Sequence, residues 1–226
     1  MKLSVVATPI GNLEDITLRA LRTLKEADVV LCEDTRVTRK LLSRYEITTH
    51  TVSYHSHSGG AKVDKIKEYL SEGKHVALVS DAGTPGVSDP GSELISKLRA
   101  EFGEELIIEA IPGASALTAA LSIAGMKVPS FVFYGFLPLK KGRETLLKAI
   151  AEDERASVFY ESPHRIMKAL EALTKLLPET RRVGIFRELT KMHEQSLVGS
   201  AAEMASYFKD NGDKERGEFV VIVEAE

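Results

Sequence analysis

The sequence predicts an α/β protein of two lobes, and three observations predict it. Through residues 1–115, short β-branched or apolar runs alternate with amphipathic helical patterns, the signature of a mainly parallel sheet covered on both faces. Through residues 116–226, two strand patterns, 182–186 and 194–198, follow one another with no helix between them, which implies antiparallel pairing and a mixed sheet. Of the 226 residues 43% are hydrophobic, enough for a sizeable core in each lobe.

In the N-terminal lobe, residues 3–7 read as a strand that stops at the turn Thr8-Pro-Ile-Gly-Asn12. Helix 17–26 follows, with Asp15 as its expected cap and Leu18, Leu21 and Leu24 on one apolar face. Strand 28–32 ends in Glu33-Asp-Thr-Arg36, four polar residues crowded at one strand terminus. Helix 37–45, strand 49–54, the polar loop His55-Ser-His-Ser-Gly-Gly60 and helix 63–71 come next. Strand 76–79 then breaks into a loop bearing Gly83, Gly86, Gly91, Pro85 and Pro90. Ser88 or Asp89 is placed to cap the helix that carries Leu94, Ile95, Leu98 and Phe102, with Pro90 in or near its first turn. Strand 105–111 leads through Pro112-Gly-Ala-Ser-Ala116 into a helix of small residues, 117–124.

The C-terminal lobe is differently built. Aromatic strand 131–134 runs into Gly135-Phe-Leu-Pro-Leu-Lys-Lys-Gly-Arg143, a loop that gathers three cations before helix 144–151. Strand 157–160 ends in Glu161-Ser-Pro-His-Arg165, and helix 166–177 repeats Ile166, Leu170, Leu173 and Leu177 at near-helical spacing. Strand 182–186 ends in Arg187-Glu188; strand 194–198, helix 201–208 and a closing strand 218–224 complete the chain.

Thirty basic against 33 acidic residues give a net charge of -3, so any nucleic acid is met by a local patch rather than by a basic surface. The single cysteine, Cys32, lies in an apolar run and reads as a small buried hydrophobe, and no disulfide framework exists. His55 and His57 supply two metal ligands where zinc needs three or four, so no metal is expected. No window approaches 18 consecutive apolar residues and no charged leader precedes an apolar stretch, so a cytoplasmic protein without membrane insertion is expected.

The turns at Pro9, Glu33 to Arg36, Asp81 to Gly86 and Pro112 to Ala116 all follow strands of the first lobe. In a parallel sheet such ends share one edge, where ligands bind. Glycines there let a backbone approach a small molecule without interference from Cβ atoms. The dinucleotide fingerprint G-x-G-x-x-G, the phosphate loop G-x-x-x-x-G-K-[ST] and the nucleophile elbow G-x-S-x-G are all absent. Residues alone thus reach an enzyme-like α/β protein with a cleft ligand, without naming the ligand.

A resemblance goes further. Val5-Val-Ala-Thr-Pro-Ile-Gly-Asn-Leu-Glu-Asp-Ile-Thr-Leu-Arg19, Glu33-Asp-Thr-Arg36, Ser80-Asp-Ala-Gly-Thr-Pro-Gly-Val-Ser-Asp-Pro-Gly91, Phe159-Tyr-Glu-Ser-Pro-His-Arg165 and Arg187-Glu-Leu-Thr-Lys191 resemble the ribosomal small-subunit (16S) RNA cytidine-2'-O-methyltransferase family, a branch of the tetrapyrrole (corrin/porphyrin) methylase superfamily. The resemblance covers essentially the whole chain. It implies S-adenosylmethionine in a cleft between two α/β lobes, 1–115 and 116–226, a homodimer, and methylation of a cytidine ribose in the decoding region of 16S RNA, as naked RNA or in the 30S subunit.

Carried over by motif, it implies cofactor contacts at Pro9, Asp81, Ala82, Gly83, Pro85, Gly86, Val87, Ser115 and Ala116, and at Tyr134, Gly135, Tyr160, Phe219 and Val220. Acceptor-side groups are expected among Glu33, Asp34, Arg36, Glu161, Arg187, Glu188 and Lys191, which suit a base or a cation beside a developing alkoxide; the competing reading is an interlobe ion-pair network. Lys140, Lys141, Arg143 and Arg165, with Arg181 and Arg182, are expected phosphate contacts. Relatives often add a basic helical extension where this sequence ends at Val223-Glu-Ala-Glu226. The rival functions are methylation of a tetrapyrrole ring carbon and a catalytically idle, cofactor-binding module on the ribosome.

Overall fold

A computed structural model describes residues 1–55, 58–89 and 91–226. His57 of the His-x-His pair and Pro90, the expected first-turn proline, lie outside the described residues. The chain divides into two compact units, Met1–Ser115 and Ala116–Glu226.

The first unit runs β1 (Lys2–Val6), α1 (Leu18–Glu26), β2 (Val29–Cys32), α2 (Thr35–Arg44), β3 (His50–Ser53), α3 (Gly60–Ser71), β4 (His75–Leu78), α4 (Ser92–Phe102) and β5 (Ile107–Ile111). Its five strands are all parallel, in the order β3-β2-β4-β1-β5. Strand alternation sends Leu3, Val29, Leu31, Val76 and Leu78 to one face, against Val63, Ile66 and Leu70 of α3 and Leu94 and Leu98 of α4. Val6, Val30, Cys32 and Ala77 go to the other face, against Ala20 and Leu24 of α1 and Leu42 of α2. Cys32 is wholly buried, as expected of a small hydrophobe, and burial raises its thiol pKa.

Two helix starts differ from expectation. Thr17, not Asp15, caps α1: its hydroxyl oxygen accepts the Ala20 amide at 3.0 Å, while Asp15 ends a short 3-10 turn, Leu13–Asp15, that Asn12 caps. Leu18 consequently stands at the first helical position with its side chain in solvent, 86% exposed, rather than on the apolar face. The cap position of α4 is Gly91, not Ser88 or Asp89, at φ +141 with no side-chain cap bond. A Cβ at Gly91 would meet Leu78 Cδ2 at 3.2 Å, so close packing of this turn on β4 selects the glycine over a capping side chain.

The second unit runs α5 (Ala116–Ile123), β6 (Phe131–Phe136), α6 (Arg143–Glu152), β7 (Ala156–Glu161), α7 (Ile166–Leu176), β8 (Arg182–Arg187), β9 (Gln195–Ser200), α8 (Ala201–Asp210) and β10 (Phe219–Val223). The sheet order is β6-β7-β10-β8-β9, with β6 and β7 parallel and every other pair antiparallel, so the sheet is mixed. Phe159, Val183, Ile185, Phe219, Val221 and Val223 form its core face with Ile166, Leu170 and Leu173 of α7 and Phe208 of α8. Ser200 and Glu203 close a reciprocal capping box at the start of α8. Arg181, expected on phosphate, is 6% exposed; its Nε, Nη1 and Nη2 donate to the carbonyls of Glu224, Ala151 and Asp153 at 2.8, 2.7 and 2.6 Å. Arg182 pairs with Glu224 at 2.6 Å.

No helix among the described residues is long and apolar enough to cross a membrane.

Candidate functional site

In the first unit, the turns after β1, β2, β4 and β5 emerge at the carboxyl edge of the parallel sheet, and hydrogen bonds stitch them together. Thr8 and Gly83 exchange backbone bonds of 2.8 and 3.0 Å as an isolated antiparallel bridge. Thr8 Oγ1 donates to the Ser80 carbonyl at 3.2 Å, and Thr84 Oγ1 to the Ala114 carbonyl at 3.2 Å. Asp81 Oδ1 accepts the Asp34 amide at 3.0 Å. The expected cofactor loop is therefore bound to the Pro9 turn, to the Glu33–Arg36 turn and to the segment that leads into Ser115 and Ala116.

Within this loop Gly83 and Pro85 are buried, while Asp81, Ala82 and Gly86 face solvent and Val87 is half-buried. Gly83 and Gly86 hold φ of +82 and +83, the left-handed region that glycine adopts without cost. A Cβ on Gly83 would stand 3.4 Å from Ile10 Cγ2 and 3.9 Å from the Ala114 carbonyl oxygen. The loop therefore presents a bare backbone beside the Asp81 carboxylate.

Carboxylates gather here. Burial raises the pKa of the half-buried Glu33, and the negative charges of Asp89 and Asp81 raise it further. Burial likewise raises Asp89, against the Ser80 hydroxyl and with the help of Asp81. An Asp89→Asn protein is expected to titrate Glu33 at lower pH than the parent, read from the side-chain carboxyl carbon in an NMR titration; an unmoved Glu33 would mean that the two charges do not sense each other.

Asp34 has a different task. Its Oδ1 accepts the Arg36 amide at 2.8 Å as the N-cap of α2, and its carboxylate binds the Arg36 guanidinium at 2.6 Å. Those bonds pull its pKa from 3.8 to about 2. Because the folded value lies below the unfolded one, its contribution to stability is complete above about pH 4 and is lost as pH falls toward 2. Arg36 itself has a side chain 85% exposed, with donors left for a ligand.

In the second unit, register brings the remaining candidates to one sheet edge. Phe219 pairs with both Glu161 and Arg187, Val220 with Tyr160, and Arg187 with Gln195. Glu161 is buried, with both guanidiniums of the expected RNA patch on it: Arg143 Nη2 at 2.6 Å and Arg165 Nη2 at 2.9 Å. The same arginines reach the loop between β6 and α6, where Arg165 Nη1 donates to the Leu137 carbonyl at 2.9 Å and Arg143 Nη1 to that of Pro138 at 3.4 Å. Arg143 and Arg165 are thus committed inward, whereas Lys140 and Lys141 are exposed.

Arg187 is buried and donates to the carbonyls of Arg216 and His193. Glu188 takes the Lys191 ammonium at 2.9 Å and the Glu218 amide at 3.0 Å. Burial alone would raise Glu188, but these partners outweigh it and the carboxyl sits below its ordinary value. Glu188 and Thr190 both hold positive φ, +51 and +66, so this turn keeps a strained backbone under many restraints.

Tyr134 and Gly135 sit in a β-bulge. Phe133 pairs with Val158 and Phe136 with Tyr160, so three steps along β6 span two along β7, and Gly135 absorbs the distortion at φ +61. Phe133 and Phe136, which a regular strand would place on opposite faces, both meet the Tyr160 ring edge-on, at 5.0 and 5.5 Å. Phe219 and Val220 are buried, Phe219 in the core against Phe208.

Sequence reasoning passed over Phe136, Asp89 as a charge partner of Glu33, and Glu218. A bulge and a cross-strand partner leave no periodic trace, although Asp89 lies within the same motif as Asp81.

A family model for the Tetrapyrrole (Corrin/Porphyrin) Methylases matches residues 2–205. A protein of Synechocystis sp. named Ribosomal RNA small subunit methyltransferase I is 45% identical over 223 residues, spanning 98% of this chain and 78% of its own. Its namesake from Thermotoga maritima is 42% identical, spanning 98% of this chain and 97% of its own. Among solved structures, a cobalt precorrin-4 methyltransferase superposes with a TM-score of 0.70 at 19% identity, covering 99% of this chain and 94% of that one. A Thermus thermophilus uroporphyrin-III C-methyl transferase, complexed with S-adenosyl homocysteine, gives 0.68 at 20% identity, covering 99% and 97%. At such identities the structural likeness is one of fold.

Proposed function

The chain belongs to the tetrapyrrole methylase family, and from that premise we propose that it is an S-adenosylmethionine-dependent methyltransferase that 2'-O-methylates a cytidine ribose in the decoding region of 16S ribosomal RNA. The observation that carries this reading is identity of 42–46% across 98% or more of the chain with proteins named as small-subunit ribosomal RNA methyltransferases. The same reading carries a homodimer and action in the cytoplasm, on RNA or on the 30S subunit.

The residues of the first edge suit this methyl donor. Asp81 offers an exposed carboxylate for hydroxyl or ammonium groups, and the exposed, Cβ-free Gly86 lets a flat, polar molecule approach the loop, which the backbone bridge between Gly83 and Thr8 holds in shape. Pro9, Ser115 and Ala116 complete that set. When bound, S-adenosylmethionine supplies a sulfonium-borne methyl group open to in-line displacement by an oxygen nucleophile. The protein's part is mainly alignment and exclusion of water. A ribose hydroxyl is a weak acid, and its proton must leave as the new O–C bond forms. Glu33 is the group we assign to accept that proton: it follows β2 at the carboxyl edge, next to Asp34, whose amide is held by Asp81, and its raised pKa suits a base. Arg36, whose side chain is largely exposed, is a cation available to the developing alkoxide.

Incubating the protein with labelled methyl donor and small subunits from a strain lacking the modification is expected to label one cytidine ribose, located by mapping the RNA. No incorporation, or label in a tetrapyrrole alone, would overturn the proposal.

A further inference from the structure

Phe136 is 55% exposed at the end of β6 and Leu139 is 78% exposed three residues on. The bulge at Gly135 turns Phe136 onto the face of Tyr160, which braces its ring edge-on. The loop behind it is fixed from below: Leu137 is buried, the carbonyls of Leu137 and Pro138 are held by Arg165 and Arg143, and both guanidiniums close on the buried Glu161. Three buried or half-buried ionic groups are thus spent on holding a short solvent-facing loop in one shape. That loop carries exposed Lys140 and Lys141, and residues 136–143 contain no carboxylate in a chain whose net charge is -3. A rigid exposed ring beside cations, in a locally positive segment, has the composition of a single-stranded nucleic-acid platform, on which bases stack while cations follow phosphates.

We propose that Phe136 is a stacking platform for an unpaired base of the RNA substrate, with Lys140 and Lys141 on the flanking phosphates. This rests on the ribosomal-RNA reading above and extends it. A ribose hydroxyl becomes accessible when its strand is unpaired and unstacked, and a ring that takes up one base of the strand favours that state.

The probe is a single-stranded RNA of about ten nucleotides, a length that one binding groove accommodates. Phe136→Ala is expected to weaken its binding roughly 5- to 150-fold, the range for loss of one base–aromatic stack. Phe136→Leu keeps apolar area without a ring and is expected to lose as much, whereas Phe136→Trp is expected to bind at least as well as the parent. The chain contains no tryptophan, so fluorescence of Phe136→Trp reports that site alone and is expected to be quenched by RNA. Replacing Lys140 and Lys141 together by alanine is expected to lower the slope of log affinity against log salt by about 1.4.

Binding by Phe136→Leu at the parental level would overturn the proposal. So would unchanged RNA affinity accompanied by a shift of oligomeric state in sedimentation, which would make this face a contact between copies. A parallel loss of S-adenosylhomocysteine affinity would assign the ring to the donor and equally overturn it. Failure of the ribosomal-RNA reading shows separately, as absence of methyl incorporation by the unaltered protein.

Discussion

A Glu161→Ala protein is expected to lose about 3–5 kcal/mol of stability in its second unit, because two guanidiniums at 12% and 18% side-chain exposure would be left without their carboxylate. The ion pairs alone do not set that figure. Glu161 Oε1 also accepts the Ser162 amide at 2.9 Å, so its removal opens the end of β7 as well. With a urea m-value of about 2 kcal/mol/M, the midpoint would fall by roughly 1.5–2.5 M. Equilibrium unfolding followed by circular dichroism measures it. Glu161→Gln keeps an acceptor for Ser162 and one for an arginine, and should lose less. Replacing Glu161, Arg143 and Arg165 together by apolar residues of similar volume should be far milder than the single change, because the penalty lies in the stranded charges. A loss in Glu161→Ala no larger than in that triple variant would show that the arginines find other partners.

The second large effect concerns the Asp81–Val87 loop, proposed to hold the methyl donor. Gly83→Val is expected to raise the dissociation constant for S-adenosylhomocysteine at least tenfold, about 1.4 kcal/mol. At φ +82 a side chain costs roughly 1–2 kcal/mol, and a β-branched one fits worst. Its γ-methyl groups would also extend from a Cβ already 3.4 Å from Ile10 Cγ2, straining the bridge between Gly83 and Thr8 on which the loop depends. Titration calorimetry checks the affinity, and circular dichroism checks that the fold persists. Gly60→Ala is the control, since a Cβ at that position would meet no atom of the described residues within 4 Å and the φ there is ordinary. Equal affinities in Gly83→Val and the parent would remove this loop from the donor site.

Most of the architecture was legible because it rests on periodicity. Alternating strands and helices up to Ser115 gave a parallel sheet, and the helix-free step from β8 to β9 gave antiparallel pairing. What remained hidden depends on contacts distant in sequence. Arg181 and Arg143 read as surface cations until the Glu224 carbonyl and the Glu161 carboxylate come within reach, 43 and 18 residues away. The caps show the same limit at short range: Thr17 and Asp15 are both good N-cap residues, and only the backbone course decides between them. In the Asp81–Val87 loop the resemblance named residues that spacing alone could not assign, and the left-handed backbone at Gly83 and Gly86 gives a physical reason for glycine at two of them. The Phe136 platform was invisible because a bulge changes the strand's parity without altering composition.

The position of β10 has a consequence for synthesis. It is the last strand in chain order yet lies in the middle of its sheet, between β7 and β8. Until residues Phe219–Val223 emerge, β6 and β7 have no hydrogen-bonded link to the β8–β9 hairpin, and the buried side chains of Phe219, Val221 and Val223 are missing from the core. Such closure across long sequence separations is slow and leaves apolar strand edges open meanwhile. The sheet of the second unit therefore waits for Phe219–Val223 before its halves can join, and cutting back from the C-terminus past Val223 would remove the centre of a sheet rather than its margin.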